Sequence, residues 1–313
     1  MTDTQNEVFK TPVNKIRLFE HGAPGSQNLK LTRKYYTEDM PDGRVKHIVQ
    51  NITDPDIVPY IPDGIGNSTD RQRIPAVLII PGGAFRRLVY NFEGEDVAKW
   101  LNSMGIAAFV LECRLPSDEH DNAEDVPLID AMRAMRVIRG RAQEFGIDEA
   151  KIGVMGFSAG GFMAALLSTA YESDVYADYK YKDEYDKISA RPDFAVCSYP
   201  VISIDDCIEA GKRYMSEEQV LERISDSKAK ILHKYNPDKL VRPDMPPVFI
   251  CETDDDRTTL SENSVGFYMA ARKAGVSAEL HIFRTGGHGY GCGDDFAQTG
   301  EWKVLFTKWI KSC

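Results

Sequence analysis

A serine flanked by glycines is the strongest chemical signal in the chain. Ser158 lies in the segment Gly-Phe-Ser-Ala-Gly at 156–160, after the apolar run 151–155 and before the apolar, alanine-containing run 162–167. Small residues two positions to either side allow a strand to turn sharply into a helix. Such a turn lifts the hydroxyl clear of the backbone and places it at a helix N-terminus, where developing negative charge is favoured. The pattern predicts a nucleophilic serine, and the alternative is a glycine-rich turn that only packs a helix against a sheet.

One histidine stands in a loop that could bring a base to this serine. His288 lies in the segment Gly-Gly-His-Gly at 286–289, directly after the strand-like run 278–283. Glycines on both sides allow a loop to carry an imidazole over the end of another strand. A serine hydroxyl is a weak nucleophile without an adjacent base. We therefore predict that His288 is that base, against the alternative of a surface or structural histidine.

Three consecutive aspartates compete for the role of the orienting carboxylate. Asp254, Asp255 and Asp256 follow the strand-like run 247–251 and Glu252. A triad acid holds the imidazole in the correct tautomer and stabilises the imidazolium as it forms. Any of the three aspartates could do this, whereas Glu252 lies too close to the strand end to turn back. A calcium loop is a weaker alternative, because the glycine and the spaced oxygen ligands of such a loop are absent.

A glycine pair after an early strand could supply donors for an oxyanion. Gly82 and Gly83 close the apolar run 76–80 and are followed by Ala84. Backbone N–H groups in such a turn can point at an oxyanion, with the N–H of Ala159 as the partner donor. A glycine pair after a strand is by itself more often a plain turn. Together with the serine, acid and histidine segments, it predicts a site for acyl transfer.

Several stretches of the chain match one known family. They spread from about residue 50 to the C-terminus and comprise 81–85, 93–98, 113–116, 156–161, 189–194, 199–203 and 286–291. On these stretches the chain resembles α/β-hydrolase serine esterases, in particular the acetylxylan esterase-like and related carbohydrate-ester hydrolases. The resemblance implies the triad order Ser158, Asp255, His288. It favours Asp255, with Asp256 second, because the acid in such proteins lies a few residues past the strand. Ala84 stands where relatives often have a third glycine, so the choice of donors among 82–84 stays open.

The pattern of apolar runs predicts how these segments are positioned. Strand and helix periods alternate, which is typical of a mostly parallel sheet with helices on both faces. The expected main strands are 76–80, 107–112, 151–156, 193–199, 247–251 and 278–283. Residues 1–74 are expected to form a lead-in with antiparallel edge strands at 15–19 and 44–49. Asp125 is expected to cap a helix whose first turn holds Pro127. We expect residues 1–313 to form a single α/β-hydrolase domain.

Composition narrows the classes of partner. The chain has 313 residues, 42% of them hydrophobic, which is enough for one large core. A net charge of −10 argues against nucleic acids and anionic membrane surfaces as partners. The six cysteines lack metal or redox spacing, so we expect reduced cysteines and no metal or cofactor. The absence of a signal-like start and of a long apolar run predicts a cytoplasmic protein, and a homo-oligomer stays open.

Two inserts and the loops near the serine are expected to shape substrate choice. The insert 171–188 is polar and rich in tyrosine, and the insert 204–240 adds an amphipathic helical stretch. A lipase lid would present a broad apolar face, which the first insert lacks. Tyrosines suit sugar rings, although a solvated surface loop is an equal or better alternative. The residues nearest the chemistry in sequence are Phe85, Arg86, Arg87 and Tyr290, which we expect in the substrate pocket.

These observations predict a serine carboxylesterase acting on short acyl esters, with O-acetyl groups on sugars or oligosaccharides as the expected substrates. Ser158 would attack the ester carbonyl as His288 removes its proton, and water would then release the acyl group. A peptidase or an acyltransferase is the alternative enzyme, because a triad does not identify the leaving group or the acceptor. A catalytically silent binding protein on the same fold is a third hypothesis, against which the intact nucleophile and base argue.

Overall fold

An eight-stranded sheet organises the protein, whose structure is a computed structural model. The structure describes residues 9, 11–65, 73–213, 215–216, 218–220, 227–293 and 298–312. The strands, numbered in chain order, are β1 (Ile16–Arg17), β2 (Lys34–Asp39), β3 (Val45–Gln50), β4 (Asp56–Tyr60), β5 (Ile74–Ile80), β6 (Leu88–Val89), β7 (Ala107–Glu112), β8 (Ile147–Phe157), β9 (Ala195–Ser198), β10 (Val248–Thr253) and β11 (Ala278–Phe283). The main sheet has the order β1-β4-β7-β5-β8-β9-β10-β11. In this order, the neighbouring strands from β7 to β11 are parallel, whereas β4 is antiparallel to both of its neighbours, β1 and β7.

The helices follow the strands in alternation. They are α1 (Asp96–Ser103), α2 (Val126–Gly140), α3 (Ala142–Phe145), α4 (Ala159–Ala170), α5 (Ile204–Lys212), α6 (Ser227–Lys234), α7 (Ser261–Lys273) and α8 (Glu301–Trp309). A π-helical turn at Asn91–Glu95 precedes α1, and short 3-10 turns lie at Glu184–Lys187, Pro237–Lys239 and Ile310–Ser312. In the described part of the chain, no helix combines the length and the apolar character needed to cross a membrane.

The predicted parallel sheet with its helices is confirmed, and the lead-in differs in detail. The runs expected at 107–112 and 278–283 are the strands β7 and β11. The run expected at 44–49 lies in a separate antiparallel sheet of order β2-β3-β6, and the one at 15–19 shrinks to the two residues of β1. β2 and β4 were not predicted, because β2 is mostly polar and β4 contains a proline, which usually argues against a strand.

Helix α2 begins where the sequence predicted, but without the expected cap. It starts at Val126 with Pro127 in its first turn. The backbone of Asp125 is already helical, with φ −96° and ψ −26°, and its side chain makes no capping bond. A capping residue usually has an extended backbone that lets its side chain fold back. The Asp125 carboxylate instead accepts hydrogen bonds from Lys234 and Tyr235.

The parallel strands place the chemical segments at one edge of the sheet. The carboxyl ends of β5, β8, β10 and β11 lead into residues 81–84, Ser158, residues 254–256 and the loop at 284–291 respectively. Ligand sites in sheets of this type lie outside the carboxyl ends of the strands. Because α4 is apolar and buried along almost its whole length, the serine at its start has a rigid support.

Candidate active site

Ser158 sits in a sharp turn between β8 and α4, which we call the serine turn (156–160). Its backbone has φ 54° and ψ −118°, a conformation that residues other than glycine rarely adopt. A Cβ atom at Gly156 would lie 1.9 Å from the carbonyl oxygen of Gly160, and one at Gly160 would lie 1.9 Å from that of Ile80. Glycine is therefore required at both positions for steric reasons. The structure has the strand–turn–helix arrangement that this spacing predicted.

His288 lies between Ser158 and a carboxylate. Its Nε2 is 2.9 Å from the Ser158 Oγ, and its Nδ1 is 2.7 Å from an oxygen of Asp256. The loop at 284–291, which we call the histidine loop, has positive φ at Gly287 (63°) and Gly289 (78°) on the two sides of the histidine. Glycine adopts these angles without steric cost. The two flanking glycines thus allow the loop to bring the imidazole over the serine.

The structure corrects the choice of acid from Asp255 to Asp256. Asp255 is exposed, and its carboxylate accepts a hydrogen bond from the backbone N–H of Gly287 at 2.8 Å. The N–H of Asp256 donates to the carbonyl of Thr253 at 3.3 Å, which closes a turn after β10. This turn directs Asp255 to the outside of the histidine loop and Asp256 inward. Asp256 is therefore the carboxylate that contacts the imidazole of His288.

Asp256 is held by hydrogen bonds on both carboxylate oxygens. Oδ1 accepts from the N–H groups of Thr258 at 2.7 Å and Thr259 at 2.9 Å, and Oδ2 accepts from the Thr259 hydroxyl at 3.0 Å. Burial pushes the pKa of Asp256 upward, but the hydrogen bond and charge of His288 and these backbone bonds outweigh burial, so the pKa is lowered. The carboxylate is accordingly ionised at neutral pH, as the orientation of an imidazole requires.

The other two acidic residues of this segment point elsewhere. Asp254 is exposed, and its backbone N–H donates to the carbonyl of Phe283. Glu252 is buried within β10, where its oxygens accept from the N–H of Thr253 at 2.9 Å and the hydroxyl of Ser264 at 3.2 Å. Burial, together with the nearby Asp256 charge, raises the pKa of Glu252 well above its usual value. Neither carboxylate contacts the imidazole.

The glycine pair forms a turn beside the serine, and one of its predicted donors is already occupied. A Cβ atom at Gly82 would lie 2.9 Å from the Cβ of Ser158, so the turn packs directly against the serine. The N–H of Gly82, however, donates to the buried carboxylate of Glu93 at 2.8 Å. Of the candidates at 82–84, Gly82 is therefore the one whose N–H is not free for an oxyanion. Nothing local in the sequence indicated this contact, because Glu93 lies 11 residues further along the chain.

The remaining N–H groups of this region are available. We call residues 82–84 the oxyanion turn. Among the described residues, the N–H groups of Gly83, Ala84 and Ala159 have no hydrogen-bond acceptor. Ala159 is the first residue of α4, where the unpaired N–H groups of a helix favour negative charge. These three donors are thus the ones that an oxyanion on the serine side could use.

Phe85 borders a small apolar cavity beside the serine turn. The side chain is 7% exposed, and its ring centroid lies 5.5 Å from that of Phe162. The cavity has a volume of about 10 Å³, roughly the space for one water molecule. The residues that line it with Phe85 include Gly82, Leu88, Leu115, Ala159 and Met163. Arg86 is exposed beyond this cavity, and Arg87 forms an ion pair with Glu38.

Tyr290, which we predicted in the substrate pocket, has a buried side chain. Its side chain is only 4% exposed, and its ring packs edge-on against Tyr199 with centroids 4.5 Å apart. Loop position in the sequence suggested a pocket residue, but the glycines of the histidine loop turn this side chain into the interior. Tyr290 supports the site from beneath.

The tyrosine-rich insert borders a different groove. This groove has a volume of about 600 Å³ and is lined by residues 174–181 together with His21, Gln27, Asp121 and Asn122. The insert is fastened to α2, since Arg133 forms ion pairs with Asp183 and Asp186. Ser158 and His288 are not part of the groove lining. The groove that the insert borders is therefore separate from the serine.

Nothing in the described ranges resembles a metal centre. The residues that the structure describes contain no group of three or more His, Cys, Asp or Glu side chains that could hold a metal ion. Cys113, Cys197 and Cys251 are buried and unbridged, as expected for reduced core residues. The groups that lie together at the serine are instead a hydroxyl, an imidazole, a carboxylate and unpaired backbone N–H groups.

Comparisons with known proteins show the family to which the chain is related. The family model described as BD-FAE matches residues 65–270. An acetylxylan esterase from Xylanibacter ruminicola is 30% identical over 76% of the chain, and an endo-1,4-β-xylanase B from Butyrivibrio fibrisolvens is 31% identical over 72%. The chain spans 45% and 34% of the lengths of these two relatives, less than half of either.

Solved structures share the whole fold. An acetyl ester-xyloside bifunctional hydrolase from Caldicellulosiruptor lactoaceticus is 34% identical to this chain and superposes on it with a TM-score of 0.71. The matched region covers 95% of each chain. A carboxylesterase from Lactobacillus plantarum, Cest-2923, gives a TM-score of 0.66 at 21% identity over 90% of this chain and 98% of its own. At that identity the second comparison shows a shared fold only. The predicted resemblance to α/β-hydrolase serine esterases is confirmed.

Proposed function

The chain belongs to the BD-FAE family, and we propose that it is a serine carboxylesterase for short-chain acyl esters, chiefly O-acetyl groups on sugars or xylo-oligosaccharides. The observation that carries the proposal is the contact chain from the Ser158 Oγ through His288 to Asp256, with distances of 2.9 and 2.7 Å. A hydroxyl within hydrogen-bond reach of a base, which is in turn oriented by a third group, is the arrangement of nucleophilic catalysis.

The proposed reaction has two halves. The Ser158 oxygen attacks the ester carbonyl carbon while the Nε2 of His288 takes the hydroxyl proton, and the carbonyl oxygen becomes an oxyanion. The bond to the alcohol then breaks, His288 gives its proton to the leaving oxygen, and an acyl-serine remains. Water repeats the sequence with the acyl-serine as the ester, which releases the acid and restores the hydroxyl.

The surrounding groups have separate roles in this reaction. Asp256 keeps a proton on Nδ1 of His288, so that Nε2 faces the serine as an acceptor. The N–H groups of Gly83, Ala84 and Ala159 are the proposed donors to the oxyanion. Removal of one oxyanion donor typically costs a factor of about 10² to 10³ in turnover. The proposed catalysis therefore depends on backbone geometry at two turns as well as on the three side chains.

Two observations support a small acyl group on a sugar. The cavity beside the serine turn is small and apolar, with Phe85, Leu115 and Met163 in its wall. The names of the two similar proteins, acetylxylan esterase and acetyl ester-xyloside hydrolase, refer to acetyl groups and to xylan or xylosides. A cavity with room for about one water molecule offers no space for a long acyl chain, and each further methylene that finds no room forgoes about 0.8 kcal/mol of burial.

A substrate panel tests the proposal. We expect the purified protein to release acetate from acetylated xylo-oligosaccharides. We also expect it to cleave p-nitrophenyl acetate and propionate at least about tenfold faster than the octanoate, since several methylenes would lack a pocket. The variant Ser158→Ala serves as the blank. Equal or rising rates with chain length would contradict the short-acyl specificity, and absence of acetate release would contradict the sugar ester.

A further inference from the structure

A buried glutamate that the proposed reaction does not use lies next to the oxyanion turn. Glu93 is 5% exposed and belongs to the π-helical turn before α1. Its Oε2 accepts from the N–H of Gly82 at 2.8 Å, and its Oε1 accepts from the hydroxyl of Tyr199 at 3.0 Å. Burying a carboxylate is costly unless hydrogen bonds compensate. Both oxygens are thus committed to specific partners.

Tyr199 extends this connection to the histidine loop. Its phenolic oxygen accepts from the N–H of Gly291 at 3.0 Å, three residues beyond His288. Its ring meets the imidazole edge-on, with centroids 5.0 Å apart and an interplanar angle of 67°. The backbone of Tyr199 has a positive φ of 36°, which is uncommon for a residue other than glycine. The side chain therefore holds a defined place directly after β9.

We propose that Glu93 is a positioning residue for the esterase site. Through Gly82 on one side, and Tyr199 and Gly291 on the other, it fixes the oxyanion turn and the histidine loop relative to each other. The inference rests on the proposed function and deepens it, because it names a group that organises the two halves of the site without touching the substrate.

The backbone of the oxyanion turn explains why such a group is needed. Gly83 has φ 136° and Ala84 has φ 57°, so two successive residues adopt conformations that favour glycine. This conformation strains an alanine, and it persists only where the surrounding structure imposes it. The bond from Gly82 to Glu93 fixes the start of this stretch. With the N–H of Gly82 directed to Glu93, the next two N–H groups remain available for an oxyanion.

The same network explains how the histidine loop is held in place. The Thr253 hydroxyl binds the carbonyl of Gly287, and Asp255 binds the N–H of Gly287, so the start of the histidine loop is held from β10. The bond from Gly291 to Tyr199 holds its end. The Nε1 of Trp302 also donates to the Gly291 carbonyl at 3.1 Å, so loss of the Tyr199 bond would loosen this end of the loop and let the imidazole shift from the serine without detaching the loop. Glu93 stabilises the attachment by accepting a hydrogen bond from the Tyr199 hydroxyl.

Three variants test the inference. Glutamine at position 93 retains only one acceptor oxygen, so Glu93→Gln should lower kcat for p-nitrophenyl acetate about ten- to hundredfold with KM within about threefold. Tyr199→Phe removes the hydroxyl and should act in the same direction. Glu95→Gln is the matched control, because Glu95 lies in the same π-helical turn but pairs with Lys99 at 2.8 Å. Its kcat should stay within about twofold of the wild-type value.

An inhibitor separates positioning from simple loss of folded protein. A trifluoromethyl ketone forms a tetrahedral oxyanion on a reactive serine, so its Ki should rise by the same factor as kcat/KM falls in Glu93→Gln. Melting temperatures report whether each variant is folded. If Glu93→Gln does not fold, Tyr199→Phe decides the question with the same two measurements.

The outcomes distinguish this inference from the proposed function. The inference is overturned if the folded Glu93→Gln or Tyr199→Phe variant keeps kcat and inhibitor Ki within about twofold of wild type. It is also overturned if Glu95→Gln loses as much activity as Glu93→Gln. If Ser158→Ala is inactive in the same assay, the proposed function survives either result. Wild-type activity in Ser158→Ala would instead refute the proposed function itself.

Discussion

The serine turn and the acid loop (254–259) lie at the same edge of the sheet but are held in different ways. Around Ser158, backbone segments contact each other directly, and a Cβ atom at Gly160 would lie 1.9 Å from the carbonyl oxygen of Ile80. Around Asp256, the loop is held by hydrogen bonds to one carboxylate, which accepts from Thr258 and Thr259. The first region depends on the absence of side chains and the second on the presence of one. Substitutions in the two regions should therefore fail for different reasons.

The largest expected effect is steric and belongs to the serine turn. Gly160→Ala places a methyl group against the carbonyl of Ile80, so either β5 or the start of α4 must move. We expect a loss of about 3 kcal/mol in the free energy of unfolding, together with loss of turnover, since this is the upper end of what overpacking typically costs. Denaturant unfolding and p-nitrophenyl acetate hydrolysis measure both effects.

Gly266→Ala is the matched control for this prediction. Gly266 lies inside α7, and a Cβ atom there would meet nothing within 4 Å. Alanine is favoured over glycine in a helix by about 0.5 to 1 kcal/mol, so this variant should be slightly more stable and fully active. A Gly160→Ala protein as stable and active as Gly266→Ala would break the comparison between the two regions.

The next largest effect is expected when a polar group of the acid loop is changed. Asp256→Asn presents an amide to the Nδ1 of His288 and favours the wrong tautomer, which in known triads lowers turnover by about 10⁴, or about 5 kcal/mol. The melting temperature should change little, because the amide oxygen can still accept from the N–H groups of Thr258 and Thr259. Loss of rate without loss of stability is what sets this loop apart from the serine turn.

The neighbouring aspartates sharpen the same test. Asp255→Asn keeps an oxygen for the N–H of Gly287 and should lose less than about tenfold in turnover. Asp254→Asn alters an exposed side chain and should be nearly unchanged. Steady-state turnover and melting temperatures of the three variants decide between them. An inactive Asp255→Asn beside an active Asp256→Asn would contradict the assignment drawn from the geometry.

The same contrast explains which parts of the site could be predicted from the sequence. The serine turn is a local steric problem, and the glycines at 156 and 160 reveal it directly. Three consecutive aspartates have the same local chemistry, so the sequence does not show which of them faces the histidine. The structure distinguishes them by the turn in which the N–H of Asp256 bonds to Thr253, and by the pairing of β10 with β11, which places the histidine loop next to that turn.

Glu93 and Tyr290 are two further residues whose contacts could not be predicted from the sequence. The stretch 93–98 carried part of the family resemblance, yet nothing local indicated that Glu93 would take the N–H of Gly82. Tyr290 adjoins His288 closely in sequence, yet it turns inward against Tyr199. The direction of a side chain in a glycine-rich loop depends on backbone angles that composition does not report. The main strands were predictable because long apolar runs report burial directly.

Labelling with a fluorophosphonate measures whether Ser158 is an activated nucleophile, because the reagent phosphonylates a serine that a neighbouring base activates. We predict one adduct per chain on the peptide that contains Ser158, no adduct in Ser158→Ala, and strongly slowed labelling in Asp256→Asn. Intact-protein and peptide mass spectrometry measure all three. A wild-type protein that stays unlabelled, or a Ser158→Ala variant that is labelled at the wild-type rate, would contradict the role of Ser158 as the nucleophile.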